Sequence, residues 1–166
     1  QLSNAVGESG KVFVHDASPR RLLNTFERAT RAASRNISSL QPVNAKSKED
    51  VEKLEKNWGT WPKLSDDQAK LDWIVIDAPC TGSGTVRRQP ELKYKIQPDT
   101  LREITMLQQR LLEHWSQELP ANSYLVYMTC SFFREENEYQ IKQFLSRHSN
   151  FQLIKFEGDD LKKKKL

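Results

Sequence analysis

The sequence contains only two cysteines among its 166 residues. Two cysteines are too few for the disulfide framework that stabilises small secreted domains, so we expect both thiols to be free in a reducing compartment. No apolar run approaches the roughly 20 residues that a membrane-spanning helix needs, and no signal-peptide pattern stands at Gln1. We therefore predict an intracellular protein with no membrane partner and with two thiols available for chemistry.

Metal ligands are also scarce. The histidines, His15, His114 and His148, are scattered along the chain. No third or fourth Cys or His ligand follows the cysteines at the spacing of a zinc site. We therefore predict no metal site.

Charge of one sign is only mildly in excess. The chain has 26 basic and 22 acidic residues, which gives a formal net charge of +4 and a pI near 9.1. This excess favours a polyanionic partner. Much of it comes from Lys162–Lys165, and a basic run at a chain end is more often a solvated tail than a binding site. We expect one domain over residues 1–156, followed by a basic tail over residues 157–166.

Apolar strands alternate with amphipathic helices along the chain. The predicted strands are Lys11–Asp16, Asp72–Ala78, Ser123–Cys130 and a strand-like Phe151–Phe156. The predicted helices are Ser18–Asn36, with Ser18 as N-cap and Pro19 at the first position, then Pro98–Leu119 and Arg134–His148. Residues from about 40 to 70 are polar and predict an insertion. This alternation predicts an α/β fold with a mostly parallel sheet and helices on both faces.

Chemically distinctive residues stand where the predicted strands end. Asp16 closes the first strand, Asp77 and Cys80 follow the second, and Cys130 ends the third. Because ligands of such sheets bind beyond the carboxyl ends of the strands, we expect these residues at one edge of the sheet. A carboxylate such as Asp16 can hold a ribose through its hydroxyls, although capping of the following helix is an equally open interpretation.

The two thiols indicate chemistry more strongly together than apart. Either cysteine alone is most simply a small core residue. Two thiols at the ends of two strands, one of them beside a carboxylate, favour a reactive site, because the thiol is the most nucleophilic side chain near neutral pH. The residues alone do not decide which thiol attacks and which assists.

Three stretches resemble a known family. They are “VHDASPRRL” from Val14, “DAPCTGSGTVRR” from Asp77 and “TCSFFREENE” from Thr129. Together they are similar to the Sun-domain, or Fmu-like, RNA cytosine-5 methyltransferases, which use S-adenosylmethionine, and the resemblance runs from Gln1 to about Phe156. It implies a Rossmann-like class I methyltransferase fold. It also implies methyl transfer to carbon 5 of cytosine in rRNA or tRNA, through a covalent adduct between a cysteine and carbon 6.

The resemblance also implies roles for individual residues. Cys130 would be the nucleophile, Cys80 would assist release of the adduct, and Asp77 would contact N3 and N4 of cytosine. The implied cofactor contacts are Asp16, Asp77 and Arg21. Because a base inside a duplex must be extruded to reach such a site, single-stranded or loop RNA is the expected substrate.

A basic stretch follows the Asp77–Cys80 loop. We predict that its cations hold RNA phosphates, with a solvated basic surface as the alternative. These residues are Arg87, Arg88, Lys93 and Lys95. For Phe132 and Phe133, packing beneath the following helix is favoured over lining a base pocket. Glu136 matches the acidic stretch of the family and is expected to position other groups at most.

Two features of the family are missing. The chain has no Cys-Ala-Ala-Pro-Gly-Gly-Lys type of loop, which holds the methionine part of the cofactor in the family, and it lacks the closing strands with their Gly-Phe-Phe ending. We therefore expect an incomplete catalytic domain that is a fragment of a longer enzyme, in preference to a divergent protein that lost its cofactor side. The alternative function is a non-catalytic RNA-binding or scaffold protein of a ribonucleoprotein.

Overall fold

The computed structural model describes residues 2–40, 49–50, 64 and 71–154. These residues fall into two compact units, one within Gln1–Leu64 and one within Ser65–Phe156. Most of the predicted insertion at 40–70 and all of the predicted tail at 157–166 lie outside the described residues. In each unit the described strands form one parallel pair, as the predicted α/β class requires.

The first unit consists of short strands and one longer helix. Its elements are α1 (Leu2–Ala5), β1 (Val12–Val14), α2 (Pro19–Arg31) and β2 (Ile37–Ser39). β1 pairs with β2 in parallel. Helix α2 buries Leu22 and Ala29, which are two turns apart on one face. β2 was not among the predicted strands, because a segment of one isoleucine and two serines has no strand-like alternation.

The start of α2 confirms the predicted N-cap position but not its mechanism. Ser18 precedes the helix and Pro19 occupies its first turn, yet the Ser18 side chain makes no capping hydrogen bond. Instead, the backbone N–H of Ser18 donates to Oδ1 of Asp16 at 2.7 Å. Asp16 therefore uses one carboxylate oxygen to fix the turn into the helix.

The second unit contains a parallel strand pair and its crossover. Its elements are β3 (Trp73–Asp77), α3 (Leu92–Lys95), α4 (Pro98–Gln117), β4 (Tyr124–Met128) and α5 (Glu138–Arg147), with single 3₁₀ turns at Ser83–Thr85 and Arg134–Glu136. Each strand, α4 and α5 lie within the predicted ranges. Parallel strands need a long connection, and α4 is its main element.

The core of the second unit lies against one face of β3. Ile74 and Ile76 are buried, as are Leu112 and Trp115 of α4 and Phe144 of α5. The alternate β3 residues are exposed, so this strand presents its apolar isoleucines to the helices. Helix α4 also buries the polar side chain of Gln108 completely.

The predicted strand at Phe151–Phe156 is wrong over residues 151–154, which form no regular element. Residues 155–156 lie outside the described part of the chain. The ring of Phe151 packs edge-on against Phe144, with centroids 5.1 Å apart, and also faces His148. Phe151 thus packs onto the end of α5, and Leu153 and Ile154 stay exposed. Among the described helices, none is long and apolar enough to cross a membrane.

Candidate active site

The loops that leave β3 and β4 bring the two cysteines into contact. Sγ of Cys80 lies 3.1 Å from Sγ of Cys130. The backbone N–H of Cys130 also donates to Sγ of Cys80 at 3.4 Å. The strands end side by side, with Asp77 opposite Met128, so both loops start from neighbouring positions. Both thiols are free; Cys130 is exposed and Cys80 partly so. The predicted pair is therefore a direct thiol contact that solvent can reach.

This contact changes the ionisation of Cys130. The hydrogen bond to Cys80 raises the pKa of the Cys130 thiol, and partial burial and the nearby negative charges of Cys80 and Asp77 act in the same direction. A raised pKa means that a smaller fraction of the sulfur is thiolate at neutral pH. In the free protein Cys130 is therefore mainly a protonated thiol.

Asp77 completes the group that the sequence predicted. It is the last residue of β3, and its side chain is exposed. Its negative charge contributes to the raised pKa of Cys130. The structure thus brings Asp77, Cys80 and Cys130 together at the carboxyl end of the β3–β4 pair. Ligands of parallel sheets bind at such an end.

Close backbone contacts hold the two loops against each other. The N–H of Gly84 donates to the carbonyl oxygen of Cys130 at 2.9 Å. A Cβ atom at position 84 would lie 2.7 Å from that oxygen, which is too close for any side chain without backbone displacement. Glycine at this position therefore permits the approach of the two loops.

A buried carboxylate links the same loops. Glu136 is 0% exposed. Its Oε1 accepts hydrogen bonds from the Thr81 N–H at 2.8 Å and from Nε2 of Gln108 at 3.0 Å. Its Oε2 accepts from the Thr81 hydroxyl at 2.6 Å and from the Ser131 hydroxyl. Thr81 directly follows one cysteine and Ser131 the other, so this carboxylate binds the neighbours of both thiols.

Further polar contacts extend this network. Nε2 of Gln108 also donates to the carbonyl of Pro79 at 2.8 Å. Asn137 accepts from the Thr129 hydroxyl at 2.7 Å and donates to the Ser131 carbonyl at 3.0 Å, so it holds the residues on either side of Cys130. Gln108 was not among the residues predicted from the sequence. A polar residue at an inward position of the amphipathic pattern of α4 was the available signal.

Tyr127 of β4 supports the turn that carries Glu136. Its hydroxyl donates to the backbone carbonyl of Glu136 at 2.8 Å. Burial, and then the charges of Glu136 and Cys80, raise the pKa of Tyr127 far above its usual value. Tyr127 is therefore a neutral hydrogen-bond donor at any pH at which the protein works.

Phe132 differs from its prediction. Its side chain is 79% exposed, so the expected packing beneath the following helix is wrong for this residue. The backbone N–H of Phe132 donates to the Ser83 hydroxyl at 2.8 Å, which fixes the main chain while the ring stays in solvent. The ring edge lies near Gly84, 3.8 Å from where a Cβ atom would stand. Phe133 is partly buried.

The predicted RNA contacts lie on the segment that follows the Cys80 loop. Each of them, Arg87, Arg88, Lys93 and Lys95, is exposed. Nζ of Lys93 lies 4.8 Å from the ring centroid of Tyr94, which is itself exposed. Leu92 packs near Gly82, so this basic segment is anchored to the loop that carries a thiol.

The remaining predicted residues lie in the first unit. Nε of Arg21 is 3.0 Å from Oδ1 of Asp16, whose side chain is 32% exposed. A partly exposed carboxylate at the carboxyl end of β1, held by Arg21 and the Ser18 N–H, suits a ligand with vicinal hydroxyls such as a ribose. These residues therefore fit the nucleoside part of S-adenosylmethionine. In the described part of the chain, no cluster of three or more His, Cys, Asp or Glu residues is able to hold a metal ion.

Curated relatives match part of the chain. The Ribosomal RNA small subunit methyltransferase B of Yersinia enterocolitica is 38% identical over 85 residues, which is 51% of this chain and 20% of that protein. The protein of the same name from Thermus thermophilus is 41% identical over 78 residues, 47% of this chain and 20% of that protein. The chain thus spans about a fifth of the length of these relatives.

Solved structures and a family model agree with these matches. The crystal structure of PH0851 has a TM-score of 0.70 at 29% identity and covers 90% of this chain and 30% of that one. A methyltransferase homolog from Pyrococcus horikoshii has a TM-score of 0.55 at 29% identity, over 82% of this chain and 37% of that one. The family model described as 16S rRNA methyltransferase RsmB/F matches residues 1–166, and the chain therefore belongs to this methyltransferase family.

Proposed function

We propose that the chain is part of the catalytic domain of an S-adenosylmethionine-dependent RNA methyltransferase. This enzyme methylates carbon 5 of cytosine in ribosomal RNA. The observation that carries this proposal is the contact of 3.1 Å between the Cys80 and Cys130 sulfurs. Carbon 5 of cytosine is a poor nucleophile, and a thiolate that adds to carbon 6 makes it reactive. Methylation at an exocyclic nitrogen has no use for a thiol.

Cys130 is the proposed nucleophile. It is the more exposed of the two thiols, as attack on a large substrate requires. Its sulfur first passes its proton to the nearby Asp77 carboxylate and then bonds to carbon 6, while the electron pair of the 5,6 double bond moves to carbon 5 and is delocalised through carbon 4 onto N3. Because its raised pKa keeps the thiol protonated in the free protein, we expect deprotonation to accompany the binding of cytosine.

Asp77 is the proposed contact for the ring nitrogens. Its carboxyl group is exposed at the end of β3, beside the thiols. Once the Asp77 carboxylate has taken the thiol proton, it donates this proton at N3, where negative charge develops during the addition, and it accepts a hydrogen bond from the N4 amino group. The same group orients the base so that carbon 6 faces the attacking sulfur.

Cys80 is the proposed group for release of the product. After methylation, carbon 5 must lose its proton, and the electrons of that bond restore the double bond as the Cys130 sulfur leaves carbon 6. The sulfur of Cys80, which is in contact with that of Cys130, is well placed to accept this proton. When bound, S-adenosylmethionine supplies an electrophilic methyl group on a sulfonium sulfur. Asp16 and Arg21 are the proposed contacts for its ribose.

The proposed RNA surface combines cations with exposed aromatic rings. Arginine and lysine side chains neutralise phosphates, and unstacked bases bind to aromatic faces. Tyr94 and Phe132 are 73% and 79% exposed, beside the basic segment and the Cys130 loop respectively. We propose that both rings stack on bases of single-stranded RNA.

The test is a methylation assay with the full-length protein, ribosomal RNA and radiolabelled S-adenosylmethionine, followed by nucleoside identification. We expect label in 5-methylcytosine and its loss in Cys130→Ala. Methylation that survives Cys130→Ala would eliminate this residue as nucleophile. The absence of any heat of S-adenosylmethionine binding to the full-length protein in calorimetry would instead favour the RNA-binding scaffold.

A second variant tests the release step. If Cys80 assists elimination, Cys80→Ala retains the covalent bond to RNA, and a denaturant-resistant complex accumulates on gels. The double variant Cys80→Ala with Cys130→Ala is the matched control, because it lacks the bonding sulfur. A Cys80→Ala protein that turns over normally without trapped complex contradicts the release role.

A further inference from the structure

Glu136 is a buried carboxylate in an unusual setting. It is 0% exposed, and its carboxylate accepts hydrogen bonds from neutral groups: the Thr81 N–H and hydroxyl, the Gln108 amide and the Ser131 hydroxyl. Among the described residues, no ion pair involves it. Burial of a carboxylate is costly unless donors satisfy it fully. The role of this buried carboxylate is therefore to bind the donors that surround it.

The donors to Glu136 come from the loop after β3, the loop after β4 and helix α4. Thr81 follows Cys80 in the loop after β3, and Ser131 follows Cys130 in the loop after β4. Gln108 of α4 binds the carboxylate and also the carbonyl of Pro79, the residue before Cys80. Each oxygen of the carboxylate accepts from two donors, and Thr81 bonds to both oxygens.

We infer that Glu136 is a positioning residue, which holds Cys80 and Cys130 in sulfur contact by binding the residue that follows each of them. The inference rests on the proposed function for its role in methyl transfer, although the geometry of the thiols can be tested without RNA. Without the carboxylate, the donors of the two loops lose their common acceptor and the two sulfurs move out of contact, although the hydrogen bond between Gly84 and Cys130 still joins the loops.

Glutamine is the informative substitution because it has nearly the shape of glutamate. Its amide presents one oxygen that accepts and one nitrogen that donates. In Glu136→Gln, one pair of the four donors therefore faces an N–H group rather than an acceptor. Glu135→Gln is the matched control, since Glu135 is the preceding residue and is exposed.

The first readout is the rate at which Cys80 and Cys130 are oxidised to a disulfide. Diamide takes two electrons and two protons from a pair of thiols, forming one disulfide and its own hydrazine, and the 166-residue chain has no other cysteines. We expect fast intramolecular oxidation in the unchanged chain and in Glu135→Gln. In Glu136→Gln we expect oxidation slower by about tenfold or more, because a displacement of about 1 Å has large effects on such reactions. An unchanged rate in a folded Glu136→Gln protein overturns the inference.

The second readout is the pH profile of Cys130 alkylation, located by peptide mapping. Separation of the sulfurs removes the hydrogen bond that raises the pKa of Cys130. We therefore expect the profile of Glu136→Gln to shift to lower pH, whereas a purely structural role predicts no shift. Circular dichroism and a cooperative thermal transition show whether each variant is folded.

If Glu136→Gln fails to fold, variants of its partner Thr81 carry the test. Thr81→Val removes the hydroxyl donor with little change of shape, whereas Thr81→Ser keeps it. We expect slowed thiol oxidation in Thr81→Val and recovery in Thr81→Ser. Equal rates in the two variants contradict the inference.

Methylation by the full-length protein then separates the two proposals. If both hold, Glu136→Gln lowers kcat while KM for RNA stays nearly constant. If thiol oxidation slows as expected but no form of the protein methylates cytosine, the positioning role stands and the proposed function fails. If methylation is normal in the unchanged protein and also in Glu136→Gln, the positioning role fails.

Discussion

At the scale of single residues, one hydrogen bond contributes most to the raised pKa of the candidate nucleophile, Cys130. The neighbouring thiol of Cys80 is the largest cause of the raised pKa of Cys130. A protonated thiol reacts slowly with alkylating reagents and other electrophiles that require the thiolate. The arrangement therefore lowers the reactivity of an exposed sulfur toward such reagents.

The first prediction concerns this hydrogen bond. In Cys80→Ala the largest cause of the shift is absent, so the pKa of Cys130 falls and more thiolate is present at neutral pH. We expect the pH profile of iodoacetamide alkylation to move to lower pH, with a higher rate at pH 7. Because Cys130 is then the only thiol of the chain, mass spectrometry reads the rate directly. An unchanged or higher midpoint contradicts the assignment of Cys80 as the cause.

The sequence indicated which candidate residues lie together, but not which residues hold them in place. Asp77, Cys80 and Cys130 stand at strand ends, and parallel pairing alone brings strand ends together. The network at Glu136 joins groups from α4 and from both thiol loops, and such long-range convergence has no local pattern. The backbone of Phe132, whose ring is exposed, is held by a hydrogen bond to Ser83, which is also far away in sequence.

At the scale of elements, one face of helix α4 contributes both to the core and to the candidate site. Leu112 and Trp115 are buried in the core, while Gln108, one turn before Leu112, points its amide into the thiol loops. Residues i and i+4 share a helix face, so the same packing that stabilises the unit also places the polar group. Stability and site geometry are therefore coupled through this helix.

The second prediction compares two apolar residues of α4. Leu112 is 2% exposed and Met106 is 54% exposed. We expect Leu112→Ala to lower the free energy of unfolding by about 2–5 kcal/mol, through lost burial and a cavity. Met106→Ala, the matched control, should change it by less than about 0.5 kcal/mol. Urea unfolding followed by circular dichroism measures both, and equal effects would show that the core is not where the structure puts it.

Element prediction succeeded where the pattern was long. α4 and β3 have clear periodicity and lie within their predicted ranges. β2 was missed because Ile37–Ser39 has one apolar residue and gains its hydrogen bonds from β1. The apolar segment after α5 has a strand-like composition, but its first ring packs on Phe144. Composition does not distinguish an aromatic residue within a strand from one that packs against a helix.

At the scale of the whole molecule, the distribution of charge matters more than its sum. The formal net charge is only +4, and a surplus of that size gives little attraction for RNA at physiological salt. Four cations on the segment after the Cys80 loop form a local concentration of positive charge. RNA affinity should therefore depend on this segment.

The third prediction follows from counterion release. Replacement of Arg87, Arg88, Lys93 and Lys95 by glutamine should weaken binding of single-stranded RNA. It should also reduce the slope of log affinity against log salt by up to about 2.8, or about 0.7 for each phosphate contact. The matched control replaces the exposed cations Arg102, Arg110, Lys142 and Arg147 of α4 and α5. Equal losses in the two variants would indicate general charge rather than a binding surface.

The neutral surroundings of Glu136 have a consequence for how ionic strength acts on the protein. Mobile ions screen exposed charges, but they hardly reach a group that is 0% exposed and held by uncharged donors. Salt should therefore release RNA from the surface and leave the two sulfurs where they are. In a steady-state assay, added potassium chloride would raise KM steeply while kcat at saturating RNA stays flat. Ionic strength thus becomes an experimental means to separate capture of the substrate from the chemistry that follows.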